Sequence, residues 1–166
     1  LGQDAFGLVF LSNVEGYIEP CGCTQNPLGG LARFVTMYND LKVISKNNLT
    51  LIDTGNLLFD TPQRNKADLC QDEARLDVLL KTLRSLGLKT SFIAGFDRAR
   101  GEVFQQTLYQ KHGLLSLPAQ TIEVIEAPSF KLGVLAVGPD FSVPQRASID
   151  KIIRESVAKH DLKAII

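Results

Sequence analysis

The amino-acid sequence predicts an α/β fold with a parallel sheet. Short runs rich in β-branched and other apolar residues alternate along the chain with segments in which apolar residues recur at helical spacing. A length of 166 residues with 45% hydrophobic residues is sufficient for one domain with its own core. We therefore expect a single domain over residues 1–166.

Six runs are predicted to form strands because they are short, apolar and bounded by turn-forming residues. They are FGLVFL (6–11), LTLID (49–53), TSFIAG (90–95), TIEVIEA (121–127), KLGVLAVG (131–138) and LKAII (162–166).

Three intervening segments have the apolar spacing of amphipathic helices. The first carries Leu31, Phe34, Val35, Tyr38 and Leu41, and the second carries Leu76, Leu79, Leu80 and Leu83. Gly87 is predicted to end the second helix, because glycine adopts the left-handed conformation that follows a helix. The third is predicted to begin near Ser148 and carries Ile149, Ile152, Ile153 and Val157.

Three loops follow the first three strands and are predicted to form the ligand site. In an open parallel sheet, ligands bind in the crevice outside the carboxyl ends of the strands. The loops are residues 12–30, 53–60 and 95–101. The first contains EPCGC and a Gly-Gly pair that opens the first helix.

The charge balance and the apolar runs exclude two classes of partner. Lysine plus arginine equals aspartate plus glutamate at 18 each, so we expect no nucleic acid as a partner. No apolar run approaches the roughly 20 residues of a membrane-spanning helix, so we expect no transmembrane segment. Because the chain begins with Leu1 and ends within a predicted strand, we expect that a signal peptide has been removed and that the domain is truncated after Ile166.

The three cysteines, Cys21, Cys23 and Cys70, permit three arrangements. Cys21 or Cys23 pairs with Cys70 as a structural disulfide if the two Cα atoms lie within about 7 Å. Alternatively, Cys21 and Cys23 form a small strained disulfide, which Gly22 allows because it has no Cβ atom, and such bonds are easily reduced.

The third arrangement is a zinc or copper site that uses the three thiolates and a histidine. The Cys-x-Cys spacing is a weak signal for it, and neither histidine lies in the three site loops. His112 and His160 are interpreted instead as helix C-terminal cations near unpaired carbonyl groups.

Several segments resemble the calcineurin-like metallophosphoesterases, and within them the 5′-nucleotidase/UDP-sugar hydrolase branch. The similar segments are GGLAR (29–33), IDTGNLLF (52–59) and FKLGVLAVG (130–138). The resemblance implies a metallophosphoesterase-like β-sandwich flanked by helices, in the order α/β/β/α, of which this chain is the N-terminal part.

The positions that bind metals in that family hold other residues in this sequence. Asn13 and Glu15 occupy positions of Asp and His, Asn56 occupies that of the bridging Asp, and Phe96 and Asp97 align with an Asn-His pair. A bridging carboxylate offsets the repulsion of two cations about 3.5–4 Å apart, and a neutral Asn does not. We therefore expect no ordinary two-metal phosphoesterase activity and no bound cofactor.

Other polar residues of the loops have predicted roles in binding or support. Arg33, Arg98 and Arg100 are candidates for binding an anionic group. Asp60 and Asp97 are candidate ligands for a single cation. Asp53 corresponds in the family to a residue that helps to hold the neighbouring loop, so we expect a hydrogen-bonding role for it.

The arrangement EPCGC…NPLGGLAR is similar to that of a bacterial, envelope-located subgroup of 5′-nucleotidase-like proteins, some of which carry selenocysteine in the motif. This resemblance favours thiol-disulfide redox chemistry in the periplasm or at the cell envelope. Cys21 and Cys23 would react, Cys70 would be the resolving or stapling partner, and the partner would be a redox protein or a small anionic ligand.

Two alternative functions stay open at this point. One is a phosphohydrolase of nucleotides or sugar nucleotides that binds Mn²⁺ or Zn²⁺ through substituted ligands. The other is a pseudoenzyme that binds an anionic ligand or a partner through Arg33, Arg98 and Arg100 without turnover.

Overall fold

The computed structural model describes residues 6–20, 22, 25, 28–127, 129–137 and 143–166. The helices are α1 (Leu31–Ile44), α2 (Leu69–Leu86), α3 (Glu102–Lys111) and α4 (Val143–His160). The strands are β1 (Gly7–Leu11), β2 (Leu49–Asp53), β3 (Thr90–Phe92), β4 (Leu115–Leu117), β5 (Ile122–Glu126), β6 (Lys131–Leu135) and β7 (Ala164–Ile165). Within these ranges, no helix has the length and apolarity that a membrane span requires.

The first sheet is parallel and has the strand order β1-β2-β3-β4. Val9 lies opposite Leu51, and Asp53 lies opposite Ser91. Side chains alternate between the two faces of each strand, so Leu51 and Asp53 face one side and Ile52 faces the other. The carboxyl ends of β1, β2 and β3 therefore meet at one edge, as the sequence predicts.

The second sheet has the order β5-β6-β7, with β6 antiparallel to β5 and parallel to β7. Ile52 and Phe92 of the first sheet pack against Ile125, Leu132 and Val134 of the second. The other face of the first sheet packs against α1, α2 and α3, and α4 contacts β5. This arrangement agrees with the predicted α/β/β/α order of layers.

The second helix ends at Gly87, as predicted. Gly87 has φ = 106°, a left-handed conformation that is strained for residues with a Cβ atom. The N–H of Leu88 then donates to the carbonyl of Leu83 at 3.0 Å, and the N–H of Gly87 donates to that of Arg84 at 3.1 Å. These bonds pair two of the carbonyl groups that a helix end leaves free.

Some predicted boundaries are wrong. Strand β3 ends at Phe92 rather than at residue 95, because the following residues turn towards the site. Helix α4 begins at Val143 rather than near Ser148. Strand β4 was not predicted, because its three residues are too short for a periodic pattern.

Candidate functional site

The loops after β1 and β2 are joined by backbone hydrogen bonds at the carboxyl edge of the first sheet. The N–H groups of Asn13, Glu15 and Gly16 donate to the carbonyls of Gly55, Asn56 and Leu57, at 3.2, 2.8 and 2.8 Å. These bonds continue the pairing of β1 with β2 beyond the ends of the strands. The two loops therefore form one connected surface.

The side-chain amide of Asn56 links all three site loops. Its Nδ2 donates to Oδ1 of Asn13 at 3.0 Å, and its Oδ1 accepts the backbone N–H of Phe96 at 3.1 Å. We name this arrangement of Asn13, Asn56 and the Phe96 N–H the amide bridge. Three of the predicted site positions thus come together at one point.

The carboxylate of Asp97 is fully buried beneath these loops. Its Oδ2 accepts the backbone N–H groups of Asn56 and Ala94, both at 2.9 Å, and its Oδ1 accepts that of Leu58 at 2.9 Å. Burial raises the pKa of Asp97, whereas the bonds to backbone N–H groups act in the opposite direction. Asp97 therefore holds the second loop against the third.

Three of the substituted positions have left-handed backbone conformations. The φ angles are 50° at Asn13, 56° at Glu15 and 53° at Asn56. Asparagine tolerates this region well, whereas it is uncommon for glutamate. Such conformations persist where the surrounding structure holds them, and they concentrate at functional sites.

The side chains at this edge do not fit the two-metal centre of the metallophosphoesterase family. The amides of Asn13 and Asn56 bond to each other, and both oxygens of Asp97 are occupied by backbone N–H groups. Among the described residues, no group of three or more His, Cys, Asp or Glu side chains is arranged to hold a metal ion. Neutral amides also lack the charge that two divalent cations require.

A second buried polar group lies on the helix-facing side of the first sheet. The hydroxyl of Ser91 donates to Oδ2 of Asp53 and lies 2.9 Å from the hydroxyl of Tyr109. Burial raises the pKa of Asp53 to about 7, and its Oδ1 has no hydrogen-bond partner among the described residues. The predicted hydrogen-bonding role of Asp53 is confirmed, although it bonds a strand residue.

A charge network around the buried Asp72 joins α2 to Asp60 of the second loop, which in turn bonds Tyr17 of the first. Asp72, which is 2% exposed, accepts bonds from Nε and Nη2 of Arg64 at 2.8 and 2.6 Å and from Nη2 of Arg75 at 3.0 Å. Arg64 also bonds Asp60 at 2.8 Å, and Asp60 accepts the hydroxyl of Tyr17 at 3.1 Å. Asp60 is thus engaged in this network. The charge network comprises Tyr17, Asp60, Arg64, Asp72 and Arg75.

Of the three cysteines, only Cys70 lies in the described part of the chain. It is exposed on the first turn of α2. Cys21 and Cys23 lie outside the described residues, so their predicted roles stay predictions. Pro20, the residue before Cys21, packs closely on Gly30, where a Cβ atom would stand 2.9 Å from the Pro20 nitrogen. Pro20, the described residue before the motif, therefore lies beside the start of α1.

The predicted anion-binding arginines do not form one group among the described contacts. Arg33 lies with Asp40 along an exposed groove on α1. Nη2 of Arg100 pairs with Oε1 of Glu73 at 3.0 Å, and its guanidinium lies 3.8 Å from the ring centroid of Phe104. Arg98 is exposed. In the described part of the chain, no hydrogen bond or ion pair links the three side chains.

His112 follows α3 directly, as the sequence predicts. Burial lowers its pKa from the ordinary value of 6.5, whereas Asp77, with an oxygen 3.4 Å away, acts in the opposite direction. Burial thus disfavours the helix C-terminal cation that the sequence suggests.

Ser91, Tyr109, Arg64 and Asp72 were not recognised from the sequence. Ser91 meets Tyr109, and Arg64 meets Asp72, only because separate elements of the fold pack together.

The sequence matches no protein-family model, and no match was found among curated proteins. Solved structures are similar in fold. A 5′-nucleotidase precursor from Thermus thermophilus superposes with a TM-score of 0.69 at 15% identity, covering 95% of this chain and 35% of its own. A sulfate thiohydrolase, SoxB, from Thermus thermophilus has a TM-score of 0.70 at 12% identity, covering 99% of this chain and 44% of its own.

The calcineurin-like phosphoesterase YfkN from Bacillus subtilis has a TM-score of 0.59 at 13% identity, and the match covers 92% of this chain and 57% of that one. The chain spans about a third of the length of the Thermus nucleotidase. The chain therefore has the fold of the calcineurin-like phosphoesterases and of the 5′-nucleotidases among them, as the sequence motifs predict.

Proposed function

We propose that this domain has lost the two-metal chemistry of its fold and carries out thiol-disulfide redox chemistry through Cys21 and Cys23. The amide bridge supports this most directly, because neutral side chains that bond to one another occupy the positions of the metal ligands. The cysteine motif begins next to Pro20, in the loop that also contains Asn13. The old reaction centre and the dithiol thus share one loop.

The proposed reaction exchanges two electrons with a partner disulfide. The thiolate of one cysteine attacks a sulfur atom of the partner, which forms a mixed disulfide and releases one partner thiolate. The second cysteine then attacks the mixed disulfide, so that the Cys21–Cys23 bond forms and the partner leaves as a dithiol. The chain is oxidised by two electrons, and the partner is reduced by two.

The proposed location is the bacterial periplasm or cell envelope. Disulfides persist in such oxidising compartments. One of the similar structures is described as a precursor, which supports a location outside the cytoplasm. The similar structures include a sulfate thiohydrolase as well as nucleotidases, so the fold is not restricted to nucleotide hydrolysis.

The test is the redox state of the three thiols, measured by alkylation, intact mass and peptide mapping in the wild-type chain and in the Cys70→Ser variant. We expect a Cys21–Cys23 bond in both, with a reduction potential well above about −300 mV. A stable bond between Cys70 and either other cysteine would contradict the proposal and would assign the motif a structural role.

The similarity to nucleotidases supports a second candidate, a phosphohydrolase with substituted ligands. Its test is release of phosphate from nucleotides and sugar nucleotides in the presence of Mn²⁺ or Zn²⁺. Turnover that is lost in Glu15→Gln would favour this candidate over the redox function.

A further inference from the structure

A cavity of about 510 Å³ lies at the end of the first sheet opposite the candidate site. It opens between the first residues of β2, the last turns of α1 and α2, and the end of β5. Its volume is in the range of sites that bind small molecules. Leu51, Leu86 and Ile125, all of them buried, form part of its apolar wall.

Tyr38 lines this cavity and presents a polar group without a partner. The residue is only 1% exposed, and no hydrogen bond from its hydroxyl occurs within the described part of the chain. Burial raises the pKa of Tyr38, so the hydroxyl keeps its proton and can donate it in a hydrogen bond. The hydroxyl is therefore available to donate a hydrogen bond to a molecule in the cavity.

The charged side chains around the cavity balance one another. Lys42 and Lys89 supply two cations, and Glu123 and Glu126 supply two anions. Nζ of Lys42 donates to the carbonyl of Leu86 at 3.0 Å and lies 5.0 Å from the centroid of the Tyr38 ring. Nζ of Lys131 lies 3.8 Å from Oε1 of Glu126. Lys89 and Glu123 are therefore the cation and the anion that remain for a ligand.

Glu123 offers a defined acceptor for a cationic group. Its Oε1 accepts the hydroxyl of Thr90 at 2.5 Å, which fixes the side chain against the first sheet. Glu123 therefore suits an ammonium group, whereas Lys89 and the hydroxyl of Tyr38 suit a carboxylate.

We propose that this cavity binds a small zwitterion of the amino-acid or dipeptide class. The ammonium group lies against Glu123, and the carboxylate accepts bonds from Tyr38 and Lys89. The proposal uses only residues at the end of the sheet opposite the cysteine loop. It is therefore independent of the redox function and stands if that function fails.

The test is calorimetric titration of the full chain with free leucine, free lysine and the dipeptide Gly-Leu. N-acetyl-Gly-Leu and Gly-Leu-amide serve as probes that lack one charge each. We expect at least one free probe to bind, and both blocked forms to bind roughly tenfold more weakly than Gly-Leu or not at all. Equal binding of blocked and free dipeptides, or no binding of any probe at millimolar concentration, would overturn the proposal.

Two variants separate a binding role from a folding role. Tyr38→Phe removes one oxygen atom, and we expect affinity for the free probe to fall roughly tenfold with an unchanged unfolding temperature. Tyr17→Phe is the matched control outside the cavity and should leave affinity unchanged. Glu123→Gln should lower affinity for the free dipeptide to that of its N-acetyl form. Unchanged affinity in both Tyr38→Phe and Glu123→Gln would contradict the proposal.

Discussion

The carboxylate of Asp97 accepts the backbone N–H of Leu58 at 2.9 Å, across 39 residues of sequence. The same side chain accepts the N–H groups of Asn56 and Ala94. Its position in the third loop therefore determines the shape of the second loop, which carries the amide bridge. The geometry of the candidate site depends on this one buried carboxylate.

We predict that Asp97→Asn destabilises the chain by about 1–3 kcal/mol, because the NH₂ group of asparagine cannot accept a bond and leaves at least one buried N–H without a partner. Urea denaturation measures the change. Asp40→Asn, an exposed substitution on α1, is the control and should have little effect. Equal stabilities of the two variants would show that the three backbone bonds contribute little.

The raised pKa of Asp53 predicts that stability falls as the pH rises. A carboxyl whose pKa is higher in the folded state binds its proton more tightly there than in the unfolded chain. The contribution is therefore favourable at low pH and is lost between the ordinary value of 3.8 and the folded value of about 7. The raised pKa of Asp97 acts in the same direction, and Tyr109, whose pKa burial also raises, stays neutral in this range.

Asp53→Asn removes the ionisation but keeps an oxygen that can accept the Ser91 hydroxyl. In the wild-type chain, ionisation of Asp53 should lower the unfolding free energy by up to about 4 kcal/mol between acidic and neutral pH. We expect this decrease to be absent in the variant. Denaturation curves from about pH 4 to about pH 8 measure it. If the unfolding free energy of Asp53→Asn falls with pH as steeply as that of the wild-type chain, other groups cause the pH dependence.

Restoring carboxylates at the amide bridge is predicted to restore metal affinity. The double substitution Asn13→Asp with Asn56→Asp supplies the negative charge that two cations require. We expect Mn²⁺ to bind at least about tenfold more tightly than to the wild-type chain, seen as a metal-dependent rise in unfolding temperature. Asn39→Asp, on the exposed face of α1, controls for added charge and should not change Mn²⁺ binding.

The charge network predicts a large difference between two aspartates of α2. Asp72→Ala leaves Arg64 and Arg75 without their shared buried partner, and we expect a loss of about 3–5 kcal/mol. Asp77 pairs with Lys81 and Lys111 at the surface, so Asp77→Ala should cost much less. Both values come from the same denaturation experiment. A similar loss in the two variants would mean that Asp72 is not the buried centre of the network.

Local patterns in the sequence were sufficient to predict the first three strands of the parallel sheet and the meeting of the loops that follow them. The predicted strand 49–53 is confirmed to the residue, because apolar residues bounded by turn residues indicate a buried strand without tertiary information. The convergence of Asn13, Asn56 and residues 96–97 was also predictable, since the carboxyl ends of parallel strands meet at one edge. The segments that resemble the calcineurin-like metallophosphoesterases predict the same arrangement of the loops.

The roles of individual polar residues were not predictable in the same way. In the sequence, Asp97 is one of several acidic residues in the loops. Its complete burial and its bonds to backbone N–H groups are visible only in the structure. Ser91 and Tyr109 meet because α3 packs on the first sheet, which no local pattern indicates. The lowered pKa of His112 likewise depends on burial, which its position at a helix end does not reveal.

The amide bridge joins two site loops through neutral groups, without a bound ion between them. A two-metal centre assembled from carboxylates is strained by its own negative charge until the cations arrive, so its maturation follows their availability. Asn56 and Asn13 carry no charge, and their bond forms from groups that the chain itself supplies. This contact between the first and second loops therefore forms with the fold itself and places no unpaired charge at the edge of the sheet.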